Sequence, residues 1–306
     1  MKIGLTLPQF GPTATRESVI QVAQMAEKEH FDSLWVGERL LWPLRPLTPY
    51  PGAPDGSLPT IYQNVLDPIE TLTFAAANTE KIALGTCVID MLFHTPVVLA
   101  RRLATLDIFS QGRTRCGLGI GWSKDEYQVS NVPFRDKGAR ADEFVQALKK
   151  IWSDDVVEFE GTYYNIPASK IGPKPNQKPH IPILLGGFSH NTFLRIAKYA
   201  DGWVGAAGGP LEYLRRSIKT LREQISKADR DPNKVEIVIL TFPQIETDST
   251  QREQSAKSPL TGTINEIGED LLMIKEMEVD HVIFAFTGVE VGRMRDITRS
   301  LSEFVK

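Results

Sequence analysis

The sequence predicts a single (β/α)8 TIM barrel with insertions, on two observations. Short apolar runs rich in β-branched residues alternate with amphipathic runs of helical period, and eight such pairs can be counted along the chain. The length of 306 residues suits one barrel with modest insertions, because such a barrel typically takes about 250 residues. We therefore expect one domain over residues 1–306, with its site at the carboxyl ends of the strands.

The first half of the chain contains four strands, which we read from their apolar and β-branched runs. Thr15 can cap the first helix, because apolar residues recur after it at helical spacing, and Asp67 with Pro68 opens the second, which reaches Thr79. Pro96 opens the third helix. The four strands and the fourth helix cover Ile3–Leu7, Ser33–Gly37, Ile82–Gly85, Thr114–Gly119 and, for the helix, Gly138–Trp152.

The second half repeats the alternation, and its helices show apolar seams with a period of three to four residues. The predicted strands cover Ile183–Gly186, Gly202–Ala206, Val235–Phe242 and His281–Phe286. The predicted helices are one that ends at Tyr199, one with a seam from Leu211 to Ile225, one over Ile267–Glu278 and a last one that contains Met294, Ile297, Leu301 and Phe304.

Three segments are too long or too irregular to be plain connections. Residues 40–64 are rich in proline and aromatic residues, and a loop of this length is usually a lid or a binding loop. We expect it to cover an apolar or aromatic substrate, although an insertion that only packs on the surface remains open. Residues 156–166 predict a small hairpin, and residues 246–262, with a polar stretch from Glu246 to Pro259, predict a mobile excursion. The expected substrate-binding residues are Trp42, Tyr50 and Tyr62.

Composition and motifs exclude several classes of function. The net charge is −3, and charged residues of both signs are spread along the chain. This pattern indicates neither a basic surface for nucleic acid nor a polybasic segment that binds membranes. No signal peptide or membrane span is predicted, so we expect a cytoplasmic protein that acts on a small molecule. The five histidines show no metal-ligand spacing, and the G-x-S-x-G nucleophile elbow of hydrolases is absent from the sequence. We expect Cys87 and Cys116 to be reduced and to serve in packing.

Two glycine turns follow predicted strands and are candidates for binding a phosphate. One covers Gly119–Trp122 and the other covers Gly186–Ser189, and glycine allows backbone amides to approach a ligand closely. The alternative is that these glycines only make tight turns. Gly117, Gly119 and Gly121 are spaced G-x-G-x-G, which is not the dinucleotide fingerprint, and we expect no helix directly after them.

Several stretches together resemble the luciferase-like monooxygenase superfamily, especially the group that uses the deazaflavin coenzyme F420. They are FDSLWVGERLLWP, LATLDIFSQGRTRCGLGIGWSKDEY, GTYYNIP, GPKPNQKPHIPILLGG and YADGWVG. The match covers nearly all of the chain to about Trp203 and the rest more loosely. It implies a bacterial luciferase-like barrel and an oxidoreductase that passes a hydride between F420 and a small organic substrate.

The resemblance leaves two alternatives open. One is an FMN-dependent monooxygenase fed by a separate flavin reductase, and the other is a flavin-binding protein without turnover. Relatives are often dimers, so a homodimer is possible. The resemblance also implies a cis peptide near Cys87 and Val88. The cofactor-binding residues that it implies are Thr86, Cys87, Val88, Gly119, Gly121, Trp122, Gly186, Gly187, Phe188 and Ser189.

One departure from the family pattern concerns the residues after strand two. Deazaflavin-dependent relatives often have a histidine there, whereas this chain has Glu38 followed by Arg39. A guanidinium is always charged near neutral pH and cannot act as a general base. We expect Glu38 to be the acid or base and Arg39 to act by its charge beside the cofactor ring.

Overall fold

The computed structural model describes residues 1–245, 259–286 and 289–305. Its strands follow the apolar runs of the sequence, and each strand of the main sheet is buried over most of its length. In chain order they are β1 (Lys2–Thr6), β2 (Ser33–Val36), β3 (Ala83–Thr86), β4 (Ile89–Asp90), β5 (Thr114–Gly119), β6 (Val157–Glu160), β7 (Asn165–Ser169), β8 (Ile183–Gly186), β9 (Gly202–Ala206), β10 (Glu236–Thr241), β11 (Gln244–Ile245), β12 (Thr261–Gly262) and β13 (His281–Phe284).

Six of the helices begin after a residue whose side chain binds a free backbone amide of the first turn. Thr15, Asp67, Thr95, Ser123 and Ser189 each accept a hydrogen bond from such an amide, and Thr263 forms a capping box with Glu266. The helices are α1 (Arg16–Lys28), α2 (Pro68–Ala76), α3 (Pro96–Phe109), α4 (Lys124–Val129), α5 (Lys137–Ser153), α6 (His190–Tyr199), α7 (Leu211–Lys227), α8 (Ile264–Glu276) and α9 (Val291–Val305).

Eight parallel strands close into a barrel, which confirms the predicted fold class. The ring runs β1–β2–β3–β5–β8–β9–β10–β13 and returns to β1. The pairing of β3 with β5, with Leu84 opposite Thr114, continues the ring past the short β4, and the pairing of β5 with β8 joins the two halves of the chain. Because all eight strands are parallel, their carboxyl ends lie at one face of the barrel, where the connecting loops meet.

The barrel interior is filled by one large ring and several aliphatic side chains. Trp35 is fully buried there, and a Cβ atom at Gly85 would overlap its ring. At the carboxyl end of the strands, Cys87, Val88 and Leu240 pack on this interior layer. The other members of the layer are Leu184, Val204, Val238 and Ile283.

A polar cluster lies beneath this layer, toward the amino ends of the strands. The Trp35 indole N–H donates to Ser33 Oγ at 2.6 Å, and Ser33 Oγ lies 2.7 Å from Nε2 of the buried His281. Arg115 forms an ion pair with Glu236, and His281 Nδ1 lies 3.9 Å from a Glu236 carboxylate oxygen. Nδ1 of His281 has no hydrogen-bond partner, so this histidine is held in a site that suits its neutral form.

Several boundaries differ from the sequence predictions. The hairpin predicted at 156–166 is formed by β6 and β7 and continues to Ser169, while β10 and β13 end before the predicted strands do. The expectation of no helix after the β5 glycines was wrong, because Ser123 caps α4 directly beyond them. The predicted excursion at 246–262 lies mostly outside the described residues, and its last two residues form β12. Within the described ranges, no helix is long and apolar enough to cross a membrane.

Candidate active site

A cavity of about 280 Å³ opens at the carboxyl ends of the barrel strands. Its volume is near the lower end of small-molecule sites, which span roughly 300–1,000 Å³. Apolar and aromatic side chains form most of its wall, and charged side chains enter at one edge. The residues at the cavity wall that matter below are Phe10, Glu38, Arg39, Tyr50, Tyr62, Cys87, Val88, Asp90, Trp122, Leu240 and Phe242.

A larger groove of about 630 Å³ lies outside the barrel, between α7 and the end of α8. Charged side chains such as Lys219 and Glu223 line it, and Arg222 is already paired with Glu278. We place the candidate site in the smaller cavity, because the strand ends of a barrel converge there and the groove lies on the outer helical layer.

Glu38 is held at the cavity edge by two partners from the segment after β3 and by the fixed position of the residue before it. Its Oε2 accepts a hydrogen bond from the Asp90 amide at 2.8 Å, and its Oε1 lies 2.8 Å from His94 Nε2. The buried Gln9 side chain binds both the amide and the carbonyl of Gly37, which fixes the residue before Glu38. An ionised carboxylate only accepts hydrogen bonds, so Nε2 of His94 carries a proton when Glu38 is charged.

Arg39 is bound in two places at once. Its Nε donates to Glu126 Oε1 at 3.1 Å and its Nη2 donates to Oε2 at 2.9 Å, a bidentate pair whose side chains are 7% and 1% exposed. The guanidinium also stacks 4.7 Å from the centroid of the Trp122 ring and 5.7 Å from that of Tyr62. The charge of Arg39 is therefore largely neutralised by Glu126, and its planar group supports the aromatic wall.

Asp90 is a second carboxyl group at the cavity. Burial raises its pKa to about 7, and the nearby charges of Glu38 and Glu126 act in the same direction, while Arg39 opposes them. Burial also raises the pKa of Glu126, against the stabilising effect of its Arg39 partner. Asp90 can therefore exist in both protonation states near neutral pH, as an acid–base group needs.

The segment after β3 presents its backbone to the cavity through a cis peptide bond between Cys87 and Val88, where the resemblance implied one. Both residues contact the cavity, and burial raises the pKa of the Cys87 thiol to about 12, so this thiol stays protonated near neutral pH. Thr86, expected to touch the cofactor, lies away from the cavity. Its hydroxyl donates to the Gly117 carbonyl at 2.7 Å and accepts from the Gly117 amide at 2.9 Å.

At three glycines near the ends of β5 and β8, neighbouring side chains occupy the space that a Cβ atom would need. A Cβ atom at Gly119 would lie 2.6 Å from both Asp90 Oδ1 and Val88 Cγ2, and one at Gly186 would lie 3.0 Å from Val88. Gly121 has a φ of +69°, and a Cβ atom there would meet Phe93 at 2.9 Å. None of these three glycines lines the cavity. Gly119 and Gly186 leave room for Asp90 and Val88, and Gly121 leaves room for Phe93.

The turn after β8 also lies outside the cavity wall. Gly187 has a φ of +121°, and its carbonyl accepts a hydrogen bond from the Trp203 indole. Phe188 packs edge-on against Trp203 with ring centroids 5.2 Å apart, and Ser189 caps α6 through the Thr192 amide. Of the ten expected cofactor residues, Cys87, Val88 and Trp122 line the cavity.

The loop over 40–64 contributes two of its three aromatic residues to the cavity. The hydroxyls of Tyr50 and Tyr62 are 3.3 Å apart, and the Tyr50 ring lies 5.5 Å from that of Trp122. Trp42 is placed elsewhere, because its indole binds the Leu58 carbonyl within the loop and it does not line the cavity.

The same loop is tied to the start of α4. The Leu40 amide donates to Glu126, the Leu47 amide donates to Asp125 at 3.0 Å, and Thr48 Oγ1 accepts from the Lys124 amide. These contacts hold the loop against the barrel mouth from one side.

Sequence reasoning missed three residues of this site: Asp90, His94 and Glu126. Asp90 and His94 follow the third predicted strand and Glu126 follows the fourth, and these positions could have identified them as candidate site residues. Each lies within a few residues of a predicted cavity residue. Their spacing matches no linear motif, because the partners are 56 residues apart for Glu38 and His94 and 87 residues apart for Arg39 and Glu126.

Comparison with known proteins gives one family and several relatives. A sequence model described as luciferase-like monooxygenase matches residues 1–289. An uncharacterized protein of Mycobacterium tuberculosis is 35% identical over 184 residues, which are 60% of this chain and 65% of that protein. An F420-dependent glucose-6-phosphate dehydrogenase of Kineococcus radiotolerans is 28% identical over 266 residues, 83% of this chain and 71% of that protein.

One solved structure shows the same fold over the whole chain. It is an F420-dependent secondary alcohol dehydrogenase in complex with an F420–acetone adduct, with a TM-score of 0.80 and 20% sequence identity. The alignment covers 100% of this chain and 99% of that one.

Proposed function

This chain belongs to the luciferase-like monooxygenase family, and on that premise we propose that it is an oxidoreductase that transfers a hydride between coenzyme F420 and a small organic substrate. The F420-dependent dehydrogenase relative at 28% identity supports the deazaflavin over FMN. The observation that carries the proposal is a pair of carboxyl groups, Glu38 and Asp90, at the edge of a cavity with an apolar floor.

The residues at the cavity fit a planar ring. Val88 and Leu240 line the cavity and pack on the barrel interior, and Trp122 and Tyr62 add aromatic rings to its wall. Apolar walls with a few fixed polar groups are what a large planar cofactor requires. Cys87 with its protonated thiol adds no charge to that floor.

The phosphate of such a cofactor would bind where strand ends meet helix amino termini. Gly208 and Gly209 follow β9, no protein atom occupies the space of a Cβ there, and Pro210 leaves the first turn of α7 without a side-chain cap. The turn from Gly186 to Ser189, at the start of α6, is the neighbouring alternative. Backbone amides at both turns can donate to an anion, and the helix dipole favours negative charge there.

When bound, the deazaflavin would accept a hydride from an alcohol carbon or supply one to a carbonyl carbon. The protein must then remove a proton from the hydroxyl oxygen or deliver one to it. Asp90 suits this role because its pKa of about 7 lets it both accept and give a proton near neutral pH.

Glu38 positions the Asp90 backbone through its hydrogen bond and connects it to His94. Because the charge of Arg39 is balanced by Glu126, we assign to Arg39 a supporting role for Trp122 and Tyr62, which replaces the expectation of a free cation beside the ring.

The proposal is tested by titrating the purified chain with F420 and, separately, with FMN. We expect F420 fluorescence to be quenched at micromolar concentrations or below, and we expect oxidised F420 to be consumed when short secondary alcohols are added. Tight binding of FMN with no binding of F420 would overturn the cofactor assignment and favour a monooxygenase that needs a separate reductase. Binding of F420 without turnover by any alcohol or carbonyl donor would favour a flavin-binding protein.

A further inference from the structure

Carboxyl groups outnumber cations among the side chains that line the cavity. Among the described residues that line the cavity, Glu38 and Asp90 carry carboxyl groups and Arg39 is the cation. Glu126 lies directly behind Arg39, buried, with both of its oxygens directed at the guanidinium. His94 contacts Glu38, and Lys137 binds the Gly121 carbonyl at 3.2 Å instead of facing the cavity.

Two donors of Arg39, and with them much of its charge, are already taken by Glu126. Two of its nitrogens donate to Glu126 at 3.1 and 2.9 Å, and one face of the guanidinium is covered by Trp122. A phosphate or carboxylate that approached Arg39 would meet a cation whose charge a buried carboxylate already balances, and it would lie beside Glu38 and Asp90 in the same cavity. Like charges at close range in a poorly solvated site repel strongly.

We propose that this site takes small uncharged alcohols or carbonyl compounds and discriminates against phosphorylated and carboxylated ones, with Glu126 as the residue that sets this preference. The inference rests on the proposed function and narrows its substrate class. The cavity favours an uncharged compound with an apolar body, because the rings of Tyr50, Tyr62 and Phe10 line it and pack edge-on against one another. The chain therefore departs from its relative named for glucose 6-phosphate.

The variant Glu126→Gln tests whether Glu126 sets the preference against anionic compounds. Glutamine keeps the size of the side chain and can still accept one hydrogen bond from Arg39, but it removes the negative charge and frees donors of the guanidinium. We expect the affinity for an organic phosphate to rise at least about tenfold, because a charge-assisted hydrogen bond contributes more than enough for that change. A gain in binding cannot be produced by misfolding.

The experiment is isothermal titration calorimetry of the protein saturated with whichever of F420 or FMN it binds. Cyclohexanol and cyclohexyl phosphate are the two probes, because they share an apolar body and differ in charge. We expect the wild type to bind cyclohexanol and to bind cyclohexyl phosphate at least tenfold more weakly. Glu126→Gln should bind the phosphate at least tenfold better than the wild type, and the double variant Glu126→Gln with Arg39→Gln should lose that gain.

Asp125→Asn is the matched control. It removes a carboxylate next to Glu126 that binds the Leu47 amide and makes no contact with Arg39. We expect its preference for cyclohexanol over cyclohexyl phosphate to equal that of the wild type. Wild-type protein that binds the phosphate as well as the alcohol, or Glu126→Gln with no gain, would overturn the inference.

The cofactor titration is a separate measurement, so a failure of the proposed function can be distinguished from a failure of the inference about charge preference. A chain that binds neither F420 nor FMN would contradict the proposed function, and calorimetry of the unliganded protein would still measure the charge preference of the cavity.

Discussion

Lowering the pH should destabilise this protein through His281, in addition to the ordinary titration of its carboxylates. His281 is 1% exposed at the amino ends of the barrel strands. Burial lowers its pKa from 6.5 to about 3, and the charges of Arg115 and Lys2 act in the same direction, while those of Asp32 and Asp280 oppose them. Nδ1 has no hydrogen-bond partner that could stabilise a second proton.

The sign of the effect follows from proton binding in the two states. Between pH 6.5 and about 3, the unfolded chain binds a proton at this histidine and the folded chain does not. The stability contributed by the neutral folded histidine is therefore complete above pH 6.5 and is lost as the pH falls. One pKa unit corresponds to about 1.4 kcal/mol, so this residue alone should lower the free energy of unfolding by about 2 kcal/mol between pH 7 and pH 5.

The measurement is urea denaturation of the wild type and His281→Gln at pH 7 and pH 5. Glutamine can keep a polar contact with Ser33 but does not titrate, and the surface carboxylates are common to both proteins. We expect the wild type to lose about 2 kcal/mol more than the variant over this interval. His190→Gln, which removes an exposed histidine, is the control and should show the wild-type pH dependence.

An equal loss of stability in the wild type and His281→Gln would refute the reasoning. It would mean that His281 accepts a proton in the folded state, with Glu236, 3.9 Å from Nδ1, as its partner.

Three further predictions concern the candidate site. In the wild type, carbonyl reduction should fall and alcohol oxidation should rise as the pH increases through the Asp90 pKa of about 7. Asp90→Asn should abolish this pH dependence, and an unaltered pH–rate profile in the variant would contradict the role of Asp90. Gly119→Ala should lower the free energy of unfolding by about 1–3 kcal/mol and weaken cofactor binding, because the new methyl group would lie 2.6 Å from Asp90 and Val88; thermal denaturation that matches Gly172→Ala, where no atom lies within 4 Å, would exclude this explanation. Tyr62→Phe should cost less than about 1.5 kcal/mol in urea denaturation, since it loses one hydroxyl contact of 3.3 Å with Tyr50, and a larger loss would show that the Tyr62 hydroxyl has another partner.

The fold and the location of the site could be predicted because they depend on local patterns. Helical seams such as Leu211 to Ile225 and buried runs such as Ile183–Gly186 recur eight times, and that number of parallel strands closes a barrel. Residues that directly follow a strand, such as Glu38 and Cys87, could be placed at the carboxyl-end face without any knowledge of their neighbours.

The roles of those residues depended on contacts between distant parts of the chain, which periodicity does not encode. Arg39 follows strand two as predicted, but only the packing of α4 brings Glu126 to it and neutralises its charge. Thr86 was predicted to follow strand three, but it is the last residue of β3, and its hydroxyl binds Gly117 on the neighbouring strand.

For Asp90, too, the sequence indicates the position and the tertiary structure sets the chemistry. Its position after a strand is visible in the sequence, whereas its raised pKa arises from burial between Glu38 and Glu126, which belong to different elements. The sequence by itself determined which residues reach the carboxyl-end face of the barrel. Only the tertiary structure decided which of them share hydrogen bonds, charge and exclusion from water, because these depend on distances of a few ångströms across the barrel mouth.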